Sequence, residues 1–582
     1  MARFLSARPR SRIVLLSVAI AAVAVFVATA RGEEAFTPDP VEIAPTLVED
    51  AQLPSSQSAA HVSADHVPSP STVPAMGPGA DRSTHFDGLN FIDQRVNADG
   101  GNQLSLEPPD QGLCVGNGFV LESVNDVFTI YDSSGAKVAG PAAFNPFFVG
   151  DHAIDRANGN KFGEFLSDPK CYYDPELDRF FMTELGIARD PTSGALKAPT
   201  KLFIAVSKSS TPTTSKGDWN IYDVDTTNDG TNGTPSHPDC PCFGDQPLIG
   251  ADKYGFYVTT NEFSVEEDAF NGAQIYAFDK AALAAGTLHF QFIGGTPIPL
   301  EEGSAYSLQP ATSPLGSDWV TASNGIEFLS SALEFGHKNV TLDDRIAVWA
   351  LTNTKSLQDV TPAVHLTHAT LTSEVYGLPP AMVQKTGPIP LGDSVKQKEA
   401  LVQSNDDRME VAVWHDGQLW SALTTVVKTE QTGTHAGIAY FRVTPTVSAS
   451  GQVSGSVTRQ GYVAVNRNNV AFPAIGVSTT GKVVITYSLV GPDFYPSSAY
   501  SVITASGVSS ANVTAAGQFP EDGFTGYSTL SRLPTNVARW GDYSAAAPAA
   551  DGSVWIATEY IKSLVLPTRI AHWSTHVSKI TP

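Results

Sequence analysis

Positive charge is scarce in this sequence. Its 582 residues include 36 Lys and Arg against 59 Asp and Glu, which gives a formal net charge of −23 at pH 7. A protein of this sign repels phosphate backbones and anionic lipid surfaces. We therefore expect no nucleic-acid partner, and a neutral, cationic or metal-bridged partner fits the charge better.

Long apolar runs are absent after the first 30 residues. Four arginines lie within the first twelve residues, residues 13–30 are apolar, and this run ends in Ala28-Thr29-Ala30. The layout is that of a secretory signal with a small-residue cleavage site. It predicts a signal peptide over residues 1–30, a secreted or cell-surface protein, and no transmembrane domain after cleavage. An uncleaved membrane anchor is the alternative, because the run is just long enough to span a bilayer.

Aromatic residues are rare between residues 31 and 83, where Pro, Ser and Ala dominate. Such a composition buries too little apolar surface to offset the loss of chain entropy. The sequence therefore predicts a disordered spacer over residues 31–83, followed by a folded region over residues 84–582.

Segments with helical periodicity are missing from residues 84–582, and a short strand pattern recurs there instead. Five stretches share the order acid, short strand, turn, aromatic strand, and two more keep this order without the acid. The five are "PPDQGLCVGNGFVLESVN" from Pro108, "SDPKCYYDPELDRFFMTEL" from Ser167, "GDQPLIGADKYGFYVTTNEF" from Gly244, "NDDRMEVAVWHDGQLWSALTT" from Asn405 and "RWGDYSAAAPAADGSVWIATEYI" from Arg539. The two are "LQPATSPLGSDWVTASNG" from Leu308 and "FPAIGVSTTGKVVITYSLV" from Phe472.

A second repeated pattern accompanies the first. Each of the seven units is followed by a strand in which apolar and polar residues alternate. The strands are "DVFTIYD" at Asp126, "KLFIAVS" at Lys201, "AQIYAFD" at Ala273, "DRIAVWA" at Asp344, "AGIAYFRV" at Ala436, "SAYSVIT" at Ser498 and "TRIAHWS" at Thr568. Together the two series predict an all-β protein, a seven-bladed β-propeller with four-stranded blades. In this fold each blade covers the apolar face of the next.

The two ends of the repeat region predict how the ring closes. The seventh unit ends in "TRIAHWSTHVSKITP" and leaves no sequence for an outer strand, whereas "THFDGLNFIDQRV" from Thr84 precedes the first unit. We expect residues 84–96 to supply the missing strand of the seventh blade. A monomeric protein is expected.

Five aspartates would lie at one end of the central channel if the acid-bearing strand is the innermost of each blade: Asp110, Asp168, Asp245, Asp407 and Asp542. Each could cap its own turn by accepting hydrogen bonds from nearby backbone N–H groups. Alternatively, several converge on a cation or a polar ligand at the channel mouth. On this second interpretation Asp110, Asp168 and Asp245 are candidate ligand-binding residues, and Asp407 and Asp542 are candidate catalytic carboxylates.

Arginines beside two of these acids are candidates for the same site. Arg408 follows Asp407, and Arg539 lies three residues before Asp542. A guanidinium can pair with these acids or hold a substrate carboxylate through two parallel bonds. Both roles are open from the sequence.

Three motifs resemble those of secreted bacterial propeller proteins of the sialidase-like group: "RWGDYS", "DDR" followed by "DGQLW", and "SLVGPDFYPSSAY". The resemblance covers about residues 84–580 and implies a propeller with a sialidase-like active site. Such a site uses three arginines on the sialate carboxylate, an acid/base aspartate and a tyrosine–glutamate nucleophile pair. Arg408 and Arg539 match two of the arginines and no third is matched, while Tyr543 and Glu559 could form the nucleophile–base pair or lie in the core.

Ready-made metal and phosphate motifs are lacking: the sequence contains no zinc motif, Gly-rich phosphate loop or nucleophile elbow. The segment "DVDTTNDGTNG" from Asp223 has the oxygen-rich, Gly-containing composition of a calcium loop. Asp223, Asp225 and Asp229 are therefore candidate calcium ligands. The alternative is a solvated loop, because Ser236 stands where a helix–loop–helix site has a bidentate Glu.

Only four cysteines are present, namely Cys114, Cys171, Cys240 and Cys242. In an exported protein they are candidates for disulfides rather than metal ligands. Four cysteines allow three pairings. The similar positions of Cys114 and Cys171 in adjacent units favour a bridge between those two residues, with a tight loop between Cys240 and Cys242.

Three classes of function remain open. The first is an extracellular carbohydrate-active enzyme, a glycosidase or polysaccharide lyase with carboxylates as acid and base. The second is a noncatalytic propeller that binds an extracellular glycan or protein surface. The third is a structural surface module, in which the long insertion over residues 353–399 serves packing or assembly.

Overall fold

The computed structural model describes residues 62–63, 66–77, 84–267, 269–294, 297–301, 303–333, 342–429, 433–531, 536–563 and 573–582. The predicted signal peptide lies outside these residues, as do residues 31–61, 64–65 and 78–83 of the predicted spacer. Among the described residues, no helix combines the length and apolar character needed to cross a membrane.

Seven blades of four antiparallel strands each make up most of the described chain. Of two N-terminal strands, one is the fourth strand of the seventh blade and the other adds to the sixth blade. The N-terminal strands are β1 (Ala75–Met76) and β2 (His85–Asn90). Blade one is β3 (Gly112–Gly116), β4 (Phe119–Val124), β5 (Val127–Asp132) and β6 (Lys137–Ala143), and a hairpin of β7 (Ile154–Asp155) and β8 (Lys161–Phe162) follows. Blade two is β9 (Phe165–Asp174), β10 (Arg179–Arg189), β11 (Leu196–Ser207) and β12 (Trp219–Asp225).

The middle blades repeat this order. Blade three is β13 (Cys242–Ala251), β14 (Gly255–Ser264), β15 (Phe270–Asp279) and β16 (Phe290–Ile293), with a hairpin of β17 (Pro299–Leu300) and β18 (Gly303–Ser304) after it. Blade four is β19 (Gln309–Pro310), β20 (Ile326–Ala332), β21 (Leu342–Thr352) and β22 (His365–Gly377). A short strand β23 (Leu401–Val402) precedes blade five, which is β24 (Met409–His415), β25 (Gln418–Thr429), β26 (Gly433–Val447) and β27 (Val453–Val463).

The last two blades include strands that depart from the order of the other five. Blade six is β28 (Asn469–Val477), β29 (Val483–Gly491), β30 (Phe494–Thr504) and β32 (Ala511–Ala515), with a short β31 (Gly507–Val508) on β30. After β33 (Val537–Ala538), blade seven is β34 (Ala545–Pro548), β35 (Val554–Ile561) and β36 (Trp573–Ile580), with β2 as its outer strand. Helical segments are short: α1 (Lys280–Ala284), α2 (Pro390–Val395), 3₁₀ turns at Lys216–Asp218, Gly316–Asp318, Ala322–Asn324, Thr354–Gln358 and Phe524–Gly526, and π turns at Asp93–Asn97 and Asn145–Val149.

The innermost strands close into a ring. Each inner strand contacts the inner strand of the next blade, and β34 of blade seven contacts β3 of blade one. An apolar cluster fills every junction: Phe128 and Met182 lie between blades one and two, and Trp555 and Tyr131 between blades seven and one. The predicted seven-bladed propeller is therefore confirmed, and its core is divided into seven layers between sheets.

The predicted closing strand is also confirmed. Strand β2 pairs antiparallel with β36, with Phe86 opposite Val577 and His85 opposite Ser578. The third strand of the seventh blade is β36, which is described from Trp573 onwards. Most of the predicted strand at residues 568–574 lies outside the described residues.

Part of the predicted spacer binds the propeller. Strand β1 pairs parallel with β32, Val73 forms a bridge with Val465, and the carbonyl of Pro68 accepts a hydrogen bond from Lys428 N at 2.7 Å. Within the predicted spacer, residues 66–77 therefore contact blades five and six. A proline-rich segment keeps its carbonyl acceptors, so it can pair with a sheet edge without burying much apolar surface.

Two long connections between blades meet at one end of the channel. Residues 378–408 join blades four and five, residues 516–544 join blades six and seven, and β23 pairs parallel with β33 where they meet. Most of the insertion over residues 353–399 is thus explained by β22, the outer strand of blade four, and by this connection.

Candidate functional site

A left-handed backbone residue recurs once per blade, either just before the inner strand or within its first half. The seven residues and their φ angles are Asp110 (52°), Asp168 (62°), Gln246 (50°), Ser307 (44°), Asn405 (55°), Phe472 (59°) and Asp542 (45°). Positive φ is uncommon for residues other than glycine and is kept only where the surrounding structure fixes it. The feature that recurs in all seven blades is therefore the left-handed backbone conformation, and an acidic side chain accompanies it in only some of them.

The predicted acid series needs a correction in two blades. Asp245 and Asp407 lie at the same channel end as the other acids, but the repeated position beside them is held by Gln246 and Asn405. The amide side chains of Gln and Asn give no charge signal, which is why the acid pattern missed them. A proline after Gln246, as after Asp168, was the available sequence clue.

Hydrogen bonds link these positions from blade to blade. The amide of Asn125 donates to Asp110 Oδ2 at 2.5 Å, and its carbonyl oxygen accepts from Asp168 N at 2.8 Å. Asp168 Oδ2 in turn accepts from Gln246 N, in blade three, at 3.0 Å. Asp168 therefore binds the next blade.

Asp110, Asp168 and Asp542 interact electrostatically with one another. Burial raises the pKa of Asp110 well above its usual range, the charges of Asp542 and Asp168 raise it further, and Arg539 lowers it. Asp110 is only 2% exposed, and its Oδ1 has no hydrogen-bond partner among the described residues. Asp110 consequently holds a proton at a pH at which an exposed aspartate is charged.

The two predicted arginines are each bound to a carboxylate of the protein. Arg539 Nη2 lies 2.6 Å from Asp542 Oδ2. Arg408 donates to both carboxylate oxygens of Asp406, at 2.7 and 2.8 Å, and to Gln246 Oε1 at 2.6 Å. The Arg408 guanidinium also lies 4.9 Å from the ring centroid of Tyr306, so it joins blades three, four and five.

A buried lysine adds positive charge to the same cluster. Lys170 Nζ lies 2.8 Å above the ring centroid of Tyr543. Burial lowers the pKa of Lys170 to about 7, although Asp168 and Asp110 act in the opposite direction. Near neutral pH this amine can therefore gain or lose a proton beside the acids.

Tyr543 and Glu559, the possible nucleophile–base pair, each form a hydrogen bond to the backbone of another residue. The hydroxyl of Tyr543 donates to the carbonyl of Pro169 at 3.4 Å, and Glu559 Oε2 accepts from Gly541 N at 2.9 Å. Burial, followed by the charges of Asp168 and Asp110, raises the pKa of Tyr543 well above its usual range. A phenol in this state is a poor nucleophile, and Tyr543 is a core residue beneath Lys170.

Two further carboxyl groups join Glu559 under the connections between blades. Glu107 accepts from Thr525 N at 3.0 Å and from the Thr525 hydroxyl at 2.7 Å, and Glu521 accepts from Gly523 N at 2.6 Å. Burial raises the pKa of Glu559, and the charges of Glu521, Glu107 and Asp542 add to the effect. The repeat pattern could not reveal Glu107 and Glu521, because both lie outside the repeated strands.

Glu107 gives the protein a pH-dependent stability. Burial raises its pKa to about 8, against about 4.3 in an unfolded chain. The folded state thus holds the proton more tightly, so this contribution is complete below about pH 4 and is lost as the pH rises from about 4 to 8. We expect the melting temperature to fall between pH 5 and pH 8, and to fall less steeply in Glu107→Gln.

The control for this pH experiment is Glu176→Gln. It removes one acidic group from a position whose side chain is 39% exposed and paired with Lys253. If the melting temperature fell equally with pH in the wild type and in Glu107→Gln, Glu107 would not be the source of the pH dependence. If Glu176→Gln reduced this fall as much as Glu107→Gln does, the cause would be the net charge of the protein.

A cavity of about 610 Å³ opens at the opposite end of the inner strands. Its lining includes Tyr173, Trp555, Lys579, Asp551 and the backbone near Thr312, from blades one, two, four, six and seven. Lys579 Nζ lies 2.6 Å from Asp551 Oδ2, so one wall carries an ion pair. None of the predicted site aspartates lines this cavity.

The predicted calcium ligands do not converge. Asp225 Oδ1 accepts from Thr227 N at 2.9 Å, Asp229 Oδ1 accepts from Thr231 N at 2.9 Å, and the half-exposed Asp223 lies 3.3 Å from Lys201 Nζ. Within the described ranges, the carboxylate oxygens of these three residues are not grouped within 4.8 Å of one another. The aspartates of this loop are therefore used in turns and in a surface ion pair.

Both predicted disulfides are confirmed. Cys114 and Cys171 link the inner strands β3 and β9, and Cys240 and Cys242 close a local loop. Their Cα atoms lie 5.3 and 4.5 Å apart, respectively. The first bridge ties blades one and two together beside the channel.

No family model matches the chain, and no curated protein matches it. Similar solved structures include a protein of unknown function from Dyadobacter fermentans DSM 18053, at 11% identity and a TM-score of 0.32, with 71% of this chain and 94% of that chain covered. They also include a Hadza microbial sialidase (10%, TM-score 0.33, 82% and 75%) and the intramolecular trans-sialidase from Ruminococcus gnavus in complex with oseltamivir carboxylate (9%, TM-score 0.36, 72% and 95%). These values are low, so the propeller is established by the strand pairing of this chain.

Proposed function

We propose that the protein is an extracellular glycoside hydrolase that acts at the acidic end of the channel. The observation that carries this proposal is the contrast between two interacting carboxyl groups: burial and the charge of Asp542 raise the pKa of Asp110, while Asp542 is bound to Arg539. Two carboxyl groups whose environments separate their protonation states are the usual acid and base of glycoside hydrolysis.

In this reaction Asp110 donates its proton to the glycosidic oxygen as the bond from that oxygen to the anomeric carbon breaks. Asp542 then either forms the new bond to the anomeric carbon or takes a proton from the water that does so. In this proposal Lys170, whose pKa burial lowers to about 7, returns the proton to Asp110. Because Asp110 is 2% exposed, substrate binding requires movement of the groups around it.

The state of the arginines favours a neutral sugar over a sialate as substrate. Arg408 and Arg539 are already engaged by Asp406 and Asp542. An anionic sugar would have to displace these carboxylates, at the cost of leaving them buried without a partner. A neutral glycoside needs only the acid and base.

The test is a screen of the full chain against neutral and sialylated glycosides and polysaccharides, with release of reducing sugar as the readout. Asp110→Asn and Asp542→Asn should each lower the rate by about 100-fold or more, as expected for loss of a general acid or base. Asp551→Asn, an acid at the other channel end, serves as the matched control and should keep full activity. Hydrolysis that survives in both channel variants would refute the proposal.

A noncatalytic glycan-binding module is the second candidate, and the cavity at the other channel end favours it. Its volume of about 610 Å³ lies in the range of small-molecule sites, and it combines aromatic rings with polar groups. In this case Tyr173→Ala should abolish glycan binding while Asp542→Asn keeps it. A glycan array read with both variants separates the two candidates.

A further inference from the structure

The junction of blades one and two ends in two buried carboxyl groups. Asp126 and Glu184 are both 0% exposed, and none of their four carboxylate oxygens has a hydrogen-bond partner among the described residues. An ionised carboxylate buried without compensation costs several kcal/mol. Neither residue belongs to the acidic site proposed above for catalysis.

Strand geometry places the two side chains on facing surfaces. On β10, Phe180 and Met182 pack in the apolar cluster against blade one, and alternation along the strand puts Glu184 on the same face. On blade one, Phe128 packs in this cluster, and Asp126 precedes it by two residues in the turn between β4 and β5. Both carboxylates therefore cap the same apolar layer at its channel-mouth end.

A hydrogen bond fixes the turn of Asp126 beside Glu184. The neighbouring Asn125 accepts from the hydroxyl of Ser167 at 3.3 Å, and Ser167 pairs across the sheet with Leu185. Electrostatics agree with this placement, because burial raises the pKa of Glu184 and the charge of Asp126 is the next largest cause.

Two amide side chains add oxygen atoms at the same place. Gln103 Nε2 donates to the carbonyl of Asp126 at 3.2 Å, which leaves Gln103 Oε1 without a partner. Phe144 N donates to the same carbonyl at 2.7 Å, and the adjacent Asn145 is fully buried with a free Oδ1. The two amides bring the unpartnered oxygens around this turn to six.

The nearest buried cation compensates only in part. Arg189 lowers the pKa of Asp126, which burial nevertheless raises to about 8. Its Nε donates to Gly194 O at 2.9 Å, and its guanidinium lies 4.4 Å from the ring centroid of Phe162. Arg189 Nη1 has no hydrogen-bond partner among the described residues, so this arginine supplies one positive charge against two carboxyl groups.

We propose that Asp126 and Glu184 bind a calcium ion at the junction of blades one and two, with Gln103 and Asn145 as further oxygen ligands. Calcium takes six to eight oxygen ligands, and its two positive charges balance the two carboxylates. The ion fixes the turn that carries Asn125, the residue that bonds both Asp110 and Asp168. Calcium thus orders one side of the acidic channel end without touching it.

The experiment measures calcium binding and thermal unfolding of the full chain after treatment with EDTA. We expect one calcium ion per chain by native mass spectrometry and a melting temperature several degrees higher in excess calcium than in EDTA. Asp126→Asn and Glu184→Gln should lose both effects. In EDTA these variants should melt close to the wild-type temperature, because each replaces a buried carboxyl group by a neutral amide of the same shape.

Asp225→Asn/Asp229→Asn is the matched control, because it alters the loop whose sequence predicts calcium and should retain both effects. Calcium binding that is lost in this control and kept in Asp126→Asn and Glu184→Gln would overturn the proposal. So would a wild-type protein with the same mass and melting temperature in calcium and in EDTA. A variant that melts lower than the wild type in EDTA would show a structural role for these carboxyl groups instead.

Discussion

A chain that starts at residue 91 is expected to lack a cooperative unfolding transition, whereas a chain that starts at residue 62 is expected to keep the transition of the full chain. The first truncation removes β2, the outer strand of the seventh blade. In the second, the N-terminal segment that pairs with blades five and six is retained.

The expected loss is large because β2 joins the first and last blades. Phe86 packs on Tyr131 of blade one, with ring centroids 4.6 Å apart, and on Trp555 of blade seven at 6.4 Å. Leu89 is fully buried, and its N–H donates to Glu122 Oε2 at 3.0 Å. Burial of Leu89 is worth about 1.5–3 kcal/mol and the partly buried Phe86 adds less, against the 5–15 kcal/mol that stabilises a typical domain.

Circular dichroism and differential scanning calorimetry of the two truncated chains provide the measurement. A peptide covering residues 84–97, added in excess to the shorter chain, should restore part of the transition in a concentration-dependent way. Equal melting temperatures for the two chains would contradict the closing role of β2.

The architecture was predictable because its signals are local. Alternating apolar residues and turn residues mark each strand within a few positions, so the two series could be counted from the sequence. The closing strand was predictable because the seventh unit has no sequence left for an outer strand, while residues 84–96 precede the first unit and belong to no other blade. Both features depend on order along the chain and on short-range pattern.

The site was only partly predictable because its contacts are distant in sequence. Asp168 binds a backbone N–H 78 residues later, and Glu107 binds Thr525 across 418 residues. Composition gives no information on which acid faces which donor at such separations. The acids were therefore placed at the correct channel end, while the roles of Gln246, Asn405 and Glu107 came only from the structure.

The spacer shows a different limit of sequence analysis. A shortage of apolar residues predicts disorder because burial cannot offset chain entropy. Residues 66–77 gain order instead through backbone hydrogen bonds to strand edges of blades five and six. Those edges exist only in the folded propeller, so the sequence of residues 66–77 does not reveal that this segment will pair with them.

Arg408→Met is expected to destabilise the protein by about 3–5 kcal/mol, because it leaves a buried carboxylate without its partner. The Arg408 side chain is 3% exposed and that of Asp406 is 11% exposed. The substitution also removes the hydrogen bond to Gln246 of blade three and the contact with the Tyr306 ring. Arg408→Lys should recover only part of the loss, since an ammonium cannot form two parallel bonds to Asp406.

A double-mutant cycle with Asp406→Asn separates this structural role from a substrate-binding role. The free energy of unfolding is measured in urea for the two single variants and the double variant. The double variant should lose clearly less than the sum of the losses in the single variants, because Asp406→Asn removes the charge that Arg408→Met leaves unpaired. If Arg408 instead served mainly to bind a substrate carboxylate, Arg408→Met would keep the wild-type urea midpoint and raise only the KM for anionic glycosides. The bidentate contact with Asp406 favours the first outcome, because an arginine already paired in this way stabilises the channel before any ligand arrives.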